Sequence, residues 1–585
     1  MMAEEDQTSP AEKASQECLM QVLKAIDEHQ NFLVEAGAGA GKTYTLIKAL
    51  KHLISKYSVE FERANKKIAC ITYTNVAKDE IKSRTDNHPV IIADTIHAFA
   101  WQVMQVFQKP LRDRISALGE KWVARIEVAG GITDQKVIYN LGYPKITDTE
   151  IFLHHDDVIK LFTSLLSDLK FRKIFANKYP VLLIDEYQDT NLSLANTLVE
   201  NFIETEEGPL IGFFGDHWQK IYGSSSCGLI QATDGKLLSI GKQANFRSDK
   251  SIVDVLNNMR PELPQHEHDP TSAGEISVYH TNNFTGERRT GAHWNGDLPE
   301  DVAHERLETL KELLRASGWN ISPETTKILM LTNNVLASEQ GYQTVSSAFS
   351  DSDDYLKKNN EYISFLTDTV EIGAAAFLEK RYGLMIEAFR INTNRIRRHS
   401  DKQVWHDAMM QLNDERTNGT IGSVIDLLKV TSKPRLPKKI DERENRIATV
   451  RLQPESERSD EDKNFLTKYD GIRTIPYPEI GNLAKYIDDK TIYSTKHGVK
   501  GAQFDNVIVV FGRGWNHYNW NQMLEHVNSG NVPEGNRDAF ERNRNLFYVA
   551  CSRPKHRLSL LFTQELSANA ILGLQHWFGE IVQPI

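Results

Sequence analysis

Two short segments of this chain have residue types and spacings suited to phosphate chemistry. The first runs Ala36, Gly37, Ala38, Gly39, Ala40, Gly41, Lys42, Thr43. It follows the apolar run Phe32, Leu33, Val34 and precedes Tyr44, Leu46, Ile47, Leu50 and Leu53 at helical spacing, so it reads as a loop between a buried strand and a helix. Glycines at such a junction let backbone N–H groups turn inward around phosphates, where a helix N-terminus already favours anions. Lys42 then reaches the β- and γ-phosphates of ATP and Thr43 ligates Mg²⁺. Ala36 stands where such loops usually begin with glycine. The second segment is LIDEYQDTN, Leu183 to Asn191, in which an apolar strand from Val181 to Ile184 ends on Asp185 and Glu186. Two adjacent acids capping a core strand make poor structure unless one holds a cation and the next orients a water. Asp185 is the expected Mg²⁺ ligand beside Thr43. The pair of segments predicts hydrolysis of a nucleoside triphosphate rather than passive binding.

The elements that position these groups must come from a large chain. At 585 residues with 40% hydrophobic content, several domains are expected, because single cores stop growing near about 250 to 300 residues. The four cysteines, Cys18, Cys70, Cys227 and Cys551, have no metal-binding or disulfide spacing, which fits a reducing, cytoplasmic setting. The N-terminal MMAEEDQTSPAEK lacks an apolar signal core, and no run approaches the roughly 18 apolar residues of a spanning helix, so no membrane partner is expected. A net charge of −10 argues only weakly against nucleic acid, since a basic groove can coexist with an acidic surface.

Further segments follow in a fixed order: ITYTNVAKDEIKSR (Ile71 to Arg84), DTIHAFA (Asp94 to Ala100), FFGDHWQKIY (Phe213 to Tyr222), NFRS (Asn245 to Ser248), STKHGVKGAQFDNVIVV (Ser494 to Val510) and NLFYVACSRP (Asn545 to Pro554). In this order they resemble the superfamily 1A DNA helicases of the UvrD/Rep/PcrA type, over roughly residues 16 to 250 and 487 to 562. The resemblance implies an α/β fold of two RecA-like P-loop NTPase domains, parallel sheets flanked by helices, with helical 1B and 2B insertions. Domain 1A is expected at 1–100 and 173–245, insertion 1B at 101–172, domain 2A at 246–349 and 486–585, and insertion 2B at 350–485. Both insertions are expected to be helical. Within 2B, Ser432 to Arg446 and Pro454 to Lys463 are charged and contain proline, and they read as solvated loops.

The resemblance also implies roles, position by position. Arg247 and Arg553 match arginine fingers, whose planar permanent charge suits a transferring phosphoryl group. Gln219 matches the γ-phosphate sensor. Tyr44 and Phe246 match the aromatics that sandwich adenine, and Gln503 falls where the family usually has a ribose-binding Glu. Gln21 stands at the expected distance for the adenine-reading glutamine, with Gln16 as the alternative. On the DNA side, Tyr73, Phe99 and Tyr222 match aromatics along the single-strand path, where stacking holds bases without reading sequence. Thr72, Thr74, Asn75, Thr95 and His97 match polar positions near the phosphodiester backbone, as do His497 and Lys500 in the second half.

After Tyr222 the family commonly continues with an Arg/Trp-rich stretch whose Trp stacks on a base, whereas this chain reads GSSSCGLI from Gly223 to Ile230. Trp218 or another nearby aromatic is the available substitute. Single-stranded and tailed duplex DNA are the expected partners, with 3′-to-5′ movement implied by the family alone. The compact build also resembles the helicase-like subunits encoded beside OLD-family nucleases in Gabija-type antiphage systems. This implies a partner nuclease and a second reading: a DNA- or nucleotide-sensing regulatory ATPase with little unwinding.

Overall fold

A computed structural model of the chain describes residues 8–140, 143–221, 225–291, 293–330, 333–391, 398–495, 502–513 and 518–585. The chain forms two compact units, one of residues 1–277, 522–558 and 567–582, the other of residues 278–521, 559–566 and 583–585. Both are α/β, the fold class expected from the sequence.

The first unit is organised on six strands: β1 (Phe32–Ala36), β2 (Ile68–Thr72), β3 (Ile91–Thr95), β4 (Val181–Asp185), β5 (Leu210–Gly215) and β6 (Leu238–Lys242), in the order β3-β2-β4-β5-β1-β6. Every neighbouring pair is parallel. Strands β1, β2, β4 and β5 are buried along their whole length, so each reads as an unbroken apolar run rather than an alternating one. Parallel pairing puts all the carboxyl ends on one edge, where open α/β sheets bind ligands. The register makes this concrete: Glu35 pairs with Gly215, Ala36 with Lys242, Asp185 with Phe214 and Thr72 with Thr95. Each of the segments singled out in β1 to β5 leaves the sheet at that edge.

The region at 101–172 is helical only in part, which corrects the all-helical expectation. Between helices Glu120–Val128 and His155–Leu166 lies a three-stranded sheet of Lys136–Tyr139, Lys145–Ile146 and Glu150–Leu153. Val137, Ile151 and Leu153 are buried while their neighbours are more open, a period-two pattern too short to register beside the strong helical runs around it. Trp122 Nε1 donates to Asp157 Oδ2 at 3.0 Å, which ties the helix before the small sheet to the helix after it.

The second unit has its own six strands, β7 (Glu275–His280), β8 (Thr326–Met330), β9 (Tyr493–Thr495), β10 (Phe504–Phe511), β11 (Pro554–Phe562) and β12 (Val582–Pro584), ordered β9-β8-β10-β11-β7-β12. A long helical excursion separates β8 from β9 and has its own core, including Tyr362, Leu366, Met409 and Ile425. Of the two charged stretches read as loops, Ser432 to Arg446 is helix from Lys438 on, whereas Pro454 to Lys463 has one 3-10 turn at Glu455–Glu457 and enters a helix only at Asp460; the two helices run Lys438–Leu452 and Asp460–Arg473. Ile440, Ile447 and Val450 on one, and Leu466, Tyr469 and Ile472 on the other, are buried. Most of their charges face outward in ion pairs such as Arg446 with Asp462 at 3.2 Å, while Glu444 is buried and accepts from Tyr362 and Arg473, so high charge density concealed a sparse apolar stripe. Among the described residues, no helix is long and apolar enough to cross a membrane.

Candidate active site

The loop after β1 is held open by backbone geometry that only glycine adopts freely. Gly39 and Gly41 have φ of 76° and 72°, and Gly41 caps the helix Lys42–Arg63. A Cβ on Gly39 would also lie 2.8 Å from Asn245 Oδ1, and one on Gly37 would lie 2.6 Å from Gln265 Nε2. The loop is therefore packed from outside by the segment after β6. Phe246 N donates to Gly39 O at 2.9 Å, while Asn245 Nδ2 and Gln265 Nε2 donate to Ala38 O at 3.2 and 3.1 Å. Ala38 N donates to Tyr548 Oη at 3.4 Å.

Lys42 Nζ lies 2.7 Å from Glu186 Oε1 and 3.2 Å from Asp185 Oδ1. Burial opposes its charge, yet the two carboxylates raise Lys42 above the usual ammonium range. Burial pushes the Asp185 carboxyl up, and Lys42 pulls against that shift. Asp185 Oδ1 is buried and accepts no aligned hydrogen bond, so the contact with Lys42 is a charge contact alone. A buried oxygen left in this condition, close to Thr43 at the helix start, suits a hard divalent cation such as Mg²⁺. Glu186 holds a left-handed backbone, φ 50° and ψ 46°, an uncommon state for a non-glycine residue. Its Oε2 accepts from Gln188 Nε2 at 2.6 Å.

Behind these groups lies a buried polar network. Gln188 Oε1 accepts from Asp216 N at 3.0 Å, and Asp216 Oδ2 accepts from Gln219 Nε2 at 2.8 Å. Arg553 Nη2 donates to Gln219 Oε1 at 3.4 Å, and its Nε to Val549 O at 2.9 Å. Arg247 Nη1 donates to Ser552 O at 2.8 Å. Burial lowers Arg247 to about 10, and burial together with the charge of Arg247 lowers Arg553 to about 9. Below them Arg260 donates to Asp216 Oδ1 at 2.6 Å and to Glu35 Oε1 at 3.0 Å. Glu35 also receives His217 N at 2.9 Å and the Tyr187 hydroxyl, and these partners overcome burial to hold its carboxyl down at about 2. Glu35, Asp216 and His217 are close enough to suggest a metal centre, but Arg260 already supplies the cation that such a cluster requires.

Sequence reasoning missed Glu35, Gln188, Asp216, Arg260, Gln265 and Tyr548. A charged Glu35 inside an apolar strand was a readable signal, and Gln188, Asp216 and Tyr548 lie inside motifs already singled out. Arg260 and Gln265 belong to none of those motifs.

Tyr44 and Phe246 are both exposed beside Gly41, at 46% and 40%. Ser9 Oγ, which caps the N-terminal helix Pro10–Asp27, is 3.1 Å from His268 Nδ1, and the His268 ring lies 5.6 Å from that of Phe246. It is thus the start of the helix that approaches Phe246. Gln16 and Gln21 lie about two and three turns further along, both exposed. Gln503 is exposed and belongs to the second unit.

The expected DNA positions separate sharply. Tyr73 is 43% exposed just beyond β2, and Thr74 and Asn75 are exposed at the start of helix Asn75–Arg84, where Thr74 Oγ1 caps by accepting from Ala77 N at 3.2 Å. Thr72 is buried and its Oγ1 has no hydrogen-bond partner. Thr95 and His97 are half-buried, and the His97 ring stacks on His155 at 3.5 Å; burial and His155 lower His97 to about 4. Phe99 corrects the reading given to it. It is 1% exposed and ringed by Phe162, Phe175 and Tyr179, because on helix Ile96–Met104 it falls on the face turned toward the core. Trp218 cannot replace the missing stacking platform either. It is 5% exposed, with the Arg544 and Arg260 guanidiniums 3.9 and 5.4 Å from its ring. Tyr222, Ser224, His497 and Lys500 lie outside the described residues.

The site has the geometry of a P-loop centre on the carboxyl edge of a parallel sheet, and comparison with known proteins agrees. A family model described as an AAA domain matches residues 20–225. Rep, an ATP-dependent DNA helicase of Buchnera aphidicola subsp. Baizongia pistaciae, is 28% identical over 38% of this chain and 40% of its own length. A probable DNA helicase II homolog of Mycoplasma capricolum is 25% identical over 38% of each. Over these segments the chain is similar to superfamily 1 DNA helicases. Along nearly its whole length it is similar to the Gabija protein GajB of Bacillus cereus (strain HuB5-5), at 24% identity over 97% of this chain and 98% of that one.

Because Phe99 packs in the core, Phe99→Ala should lower unfolding free energy by about 3–5 kcal/mol, as such truncations do. Denaturant melts measure this. Normal stability with weakened DNA binding would return the ring to the DNA path.

Proposed function

We propose that this chain moves 3′ to 5′ along single-stranded DNA and opens tailed duplexes, with Arg247, Arg553 and Gln219 acting on the ATP held by Lys42. The observation that carries this reading is Lys42 placed between Asp185 and Glu186, with Gln219 joined to both Asp216 and Arg553. On binding, the triphosphate competes for the Lys42 ammonium, which then leaves its carboxylates for β- and γ-phosphate oxygens. Glu186, held by Gln188, is thereby released to orient water. Thr43 and Asp185 would hold Mg²⁺, which supplies charge neutralisation at the phosphates. Arg553 and Arg247, both buried and held below the usual guanidinium range, act where negative charge develops in the transition state. Tyr44 and Phe246 flank the base, with Gln503 toward the ribose and Gln21 or Gln16 as base-reading candidates. In this assignment 1–100 and 173–245 form domain 1A, 101–172 insertion 1B, 246–349 and 486–585 domain 2A, and 350–485 insertion 2B.

A second reading has a specific observation in its favour. Among the described residues, Trp218 is enclosed and Phe99 lies in the core, which leaves Tyr73 as the exposed aromatic of those matched to the strand path. This, with the near full-length likeness to a Gabija protein, supports a regulatory ATPase in the cytoplasm that senses DNA or nucleotide and controls a partner nuclease of the OLD family. Strand displacement on a 3′-tailed duplex separates the two: unwinding coupled to ATP use supports the motor, and DNA-stimulated turnover without displacement supports the regulator.

Lys42→Ala should lose ATP binding, whereas Glu186→Gln should bind ATP and stall before hydrolysis. Binding and turnover measured side by side check this, and an active Lys42→Ala protein would refute the site. For the DNA face, Tyr73→Ala should raise the half-saturating DNA concentration for stimulated turnover about 5- to 150-fold, the equivalent of one stacked base at about 1–3 kcal/mol. The comparison requires a fixed salt concentration, since phosphate contacts are salt-dependent. An unchanged stimulation curve would remove Tyr73 from the strand path.

A further inference from the structure

Lys242 is a buried lysine without an acid. It ends β6 directly beside Ala36, where the phosphate loop leaves β1, and it is 0% exposed. Its Nζ donates to Gly41 O at 3.1 Å and to Thr45 Oγ1. No carboxylate among the described residues pairs with it. The groups facing it are Cys18 from helix Pro10–Asp27, whose thiol burial pushes up to about 11, and the Tyr44 ring 6.0 Å away, itself approached by Lys48 at 5.4 Å. None of these is a carboxylate. Burial accordingly lowers Lys242 from 10.5 to about 8.

An ammonium buried against neutral oxygens destabilises a fold, and an apolar side chain of similar shape would serve packing better. What the position offers instead is proximity to the loop. The hydrogen bond to Gly41 O fixes the left-handed peptide that begins the phosphate-loop helix, and a Cβ on Gly41 would lie only 3.9 Å from Nζ. We propose that Lys242 is a positioning residue for ATP: it clamps the Gly41 peptide and places a second positive charge behind the phosphate loop, exchanging stability of the empty protein for affinity for the polyphosphate. This rests on the loop being the seat of ATP. The same geometry makes the affinity sensitive to pH. A polyanion favours the charged ammonium, so ATP binds better where Lys242 is protonated and weakens as pH rises through 8 and above. Stability runs the other way. The unfolded chain holds this proton up to 10.5 and the folded chain only to about 8, so stability gains from Lys242 as pH rises between these values.

The test compares wild type with Lys242→Met by ATP titration and thermal melting. Removing the charge should weaken ATP binding about tenfold, the equivalent of one pKa unit of coupling, raise KM with little change in kcat, and move the melting midpoint up. The wild type should itself lose about tenfold in ATP affinity between about pH 7.5 and 9.5, where phosphates are already fully ionised, and Lys242→Met should show no such slope. Unchanged ATP affinity in Lys242→Met, or a lowered melting midpoint, would overturn the proposal. A flat wild-type pH profile would overturn it without any variant. Lys42→Ala serves as the control: if it still binds ATP, the loop itself is misread, whereas if it fails while Lys242 has no effect, only the role given to Lys242 falls.

Discussion

The catalytic edge depends on one buried arrangement of charge: the Arg260 guanidinium between Glu35 and Asp216. Neither carboxylate could remain ionised in the sheet without a partner, and removing one member of such a set typically costs about 3–5 kcal/mol. Glu35 belongs to the strand that feeds the phosphate loop, and Asp216 follows the strand that pairs with it. Arg260 therefore fixes where the loop begins relative to where Gln219 projects. Tyr187 and His217 complete the coordination of Glu35, which locks the acidic turn after β4 to the same centre.

From Asp216 a continuous series of hydrogen bonds reaches both ends of the chemistry. In one direction it passes through Gln188 to Glu186, the group proposed to orient water. In the other it passes through Gln219 to Arg553. A change in the charge near Glu186 is thus transmitted to the arginine through two amides whose donors and acceptors are directional. Helix Arg537–Cys551 is tied to the same place, since Asn545 Nδ2 donates to the carbonyls of His217 and Lys220 and Tyr548 accepts from the phosphate loop. Burial lowers Arg247 and Arg553 below the usual guanidinium range, and a phosphate brought near them would favour their charged forms.

Legibility in the sequence followed the range of the interactions. The phosphate loop and the acidic strand end could be read because strand, turn and helix are adjacent in the chain, and a fully buried parallel strand announces itself as an apolar run. The small sheet at 136–153 was not legible, because strands of two to four residues carry almost no periodic signal. The helices at 438–452 and 460–473 were hidden by high charge density, most of it on their outer faces but including Glu444, which is buried against Arg473. Phe99 misled for a different reason: its motif places it near DNA-facing positions, but its helix phase turns the ring into a cluster built by residues about 60 to 80 positions later. Arg260 and Lys242 were beyond reach, since their partners lie 44 and 225 residues away for Arg260 and about 200 for Lys242, and nothing local distinguishes a buried cation from a surface one.

The central claim is that Arg553 acts on the phosphate held by Lys42 and attacked by the water that Glu186 orients, through a site assembled from segments more than 350 residues apart. Single-turnover ATP hydrolysis by Arg553→Ala, with ATP affinity measured on the same preparation, tests it most directly. The account predicts a fall of about 10³ to 10⁵ in the rate with only a modest loss of ATP binding, because an arginine finger acts chiefly on the transition state. A variant that hydrolyses ATP at the normal rate would contradict it.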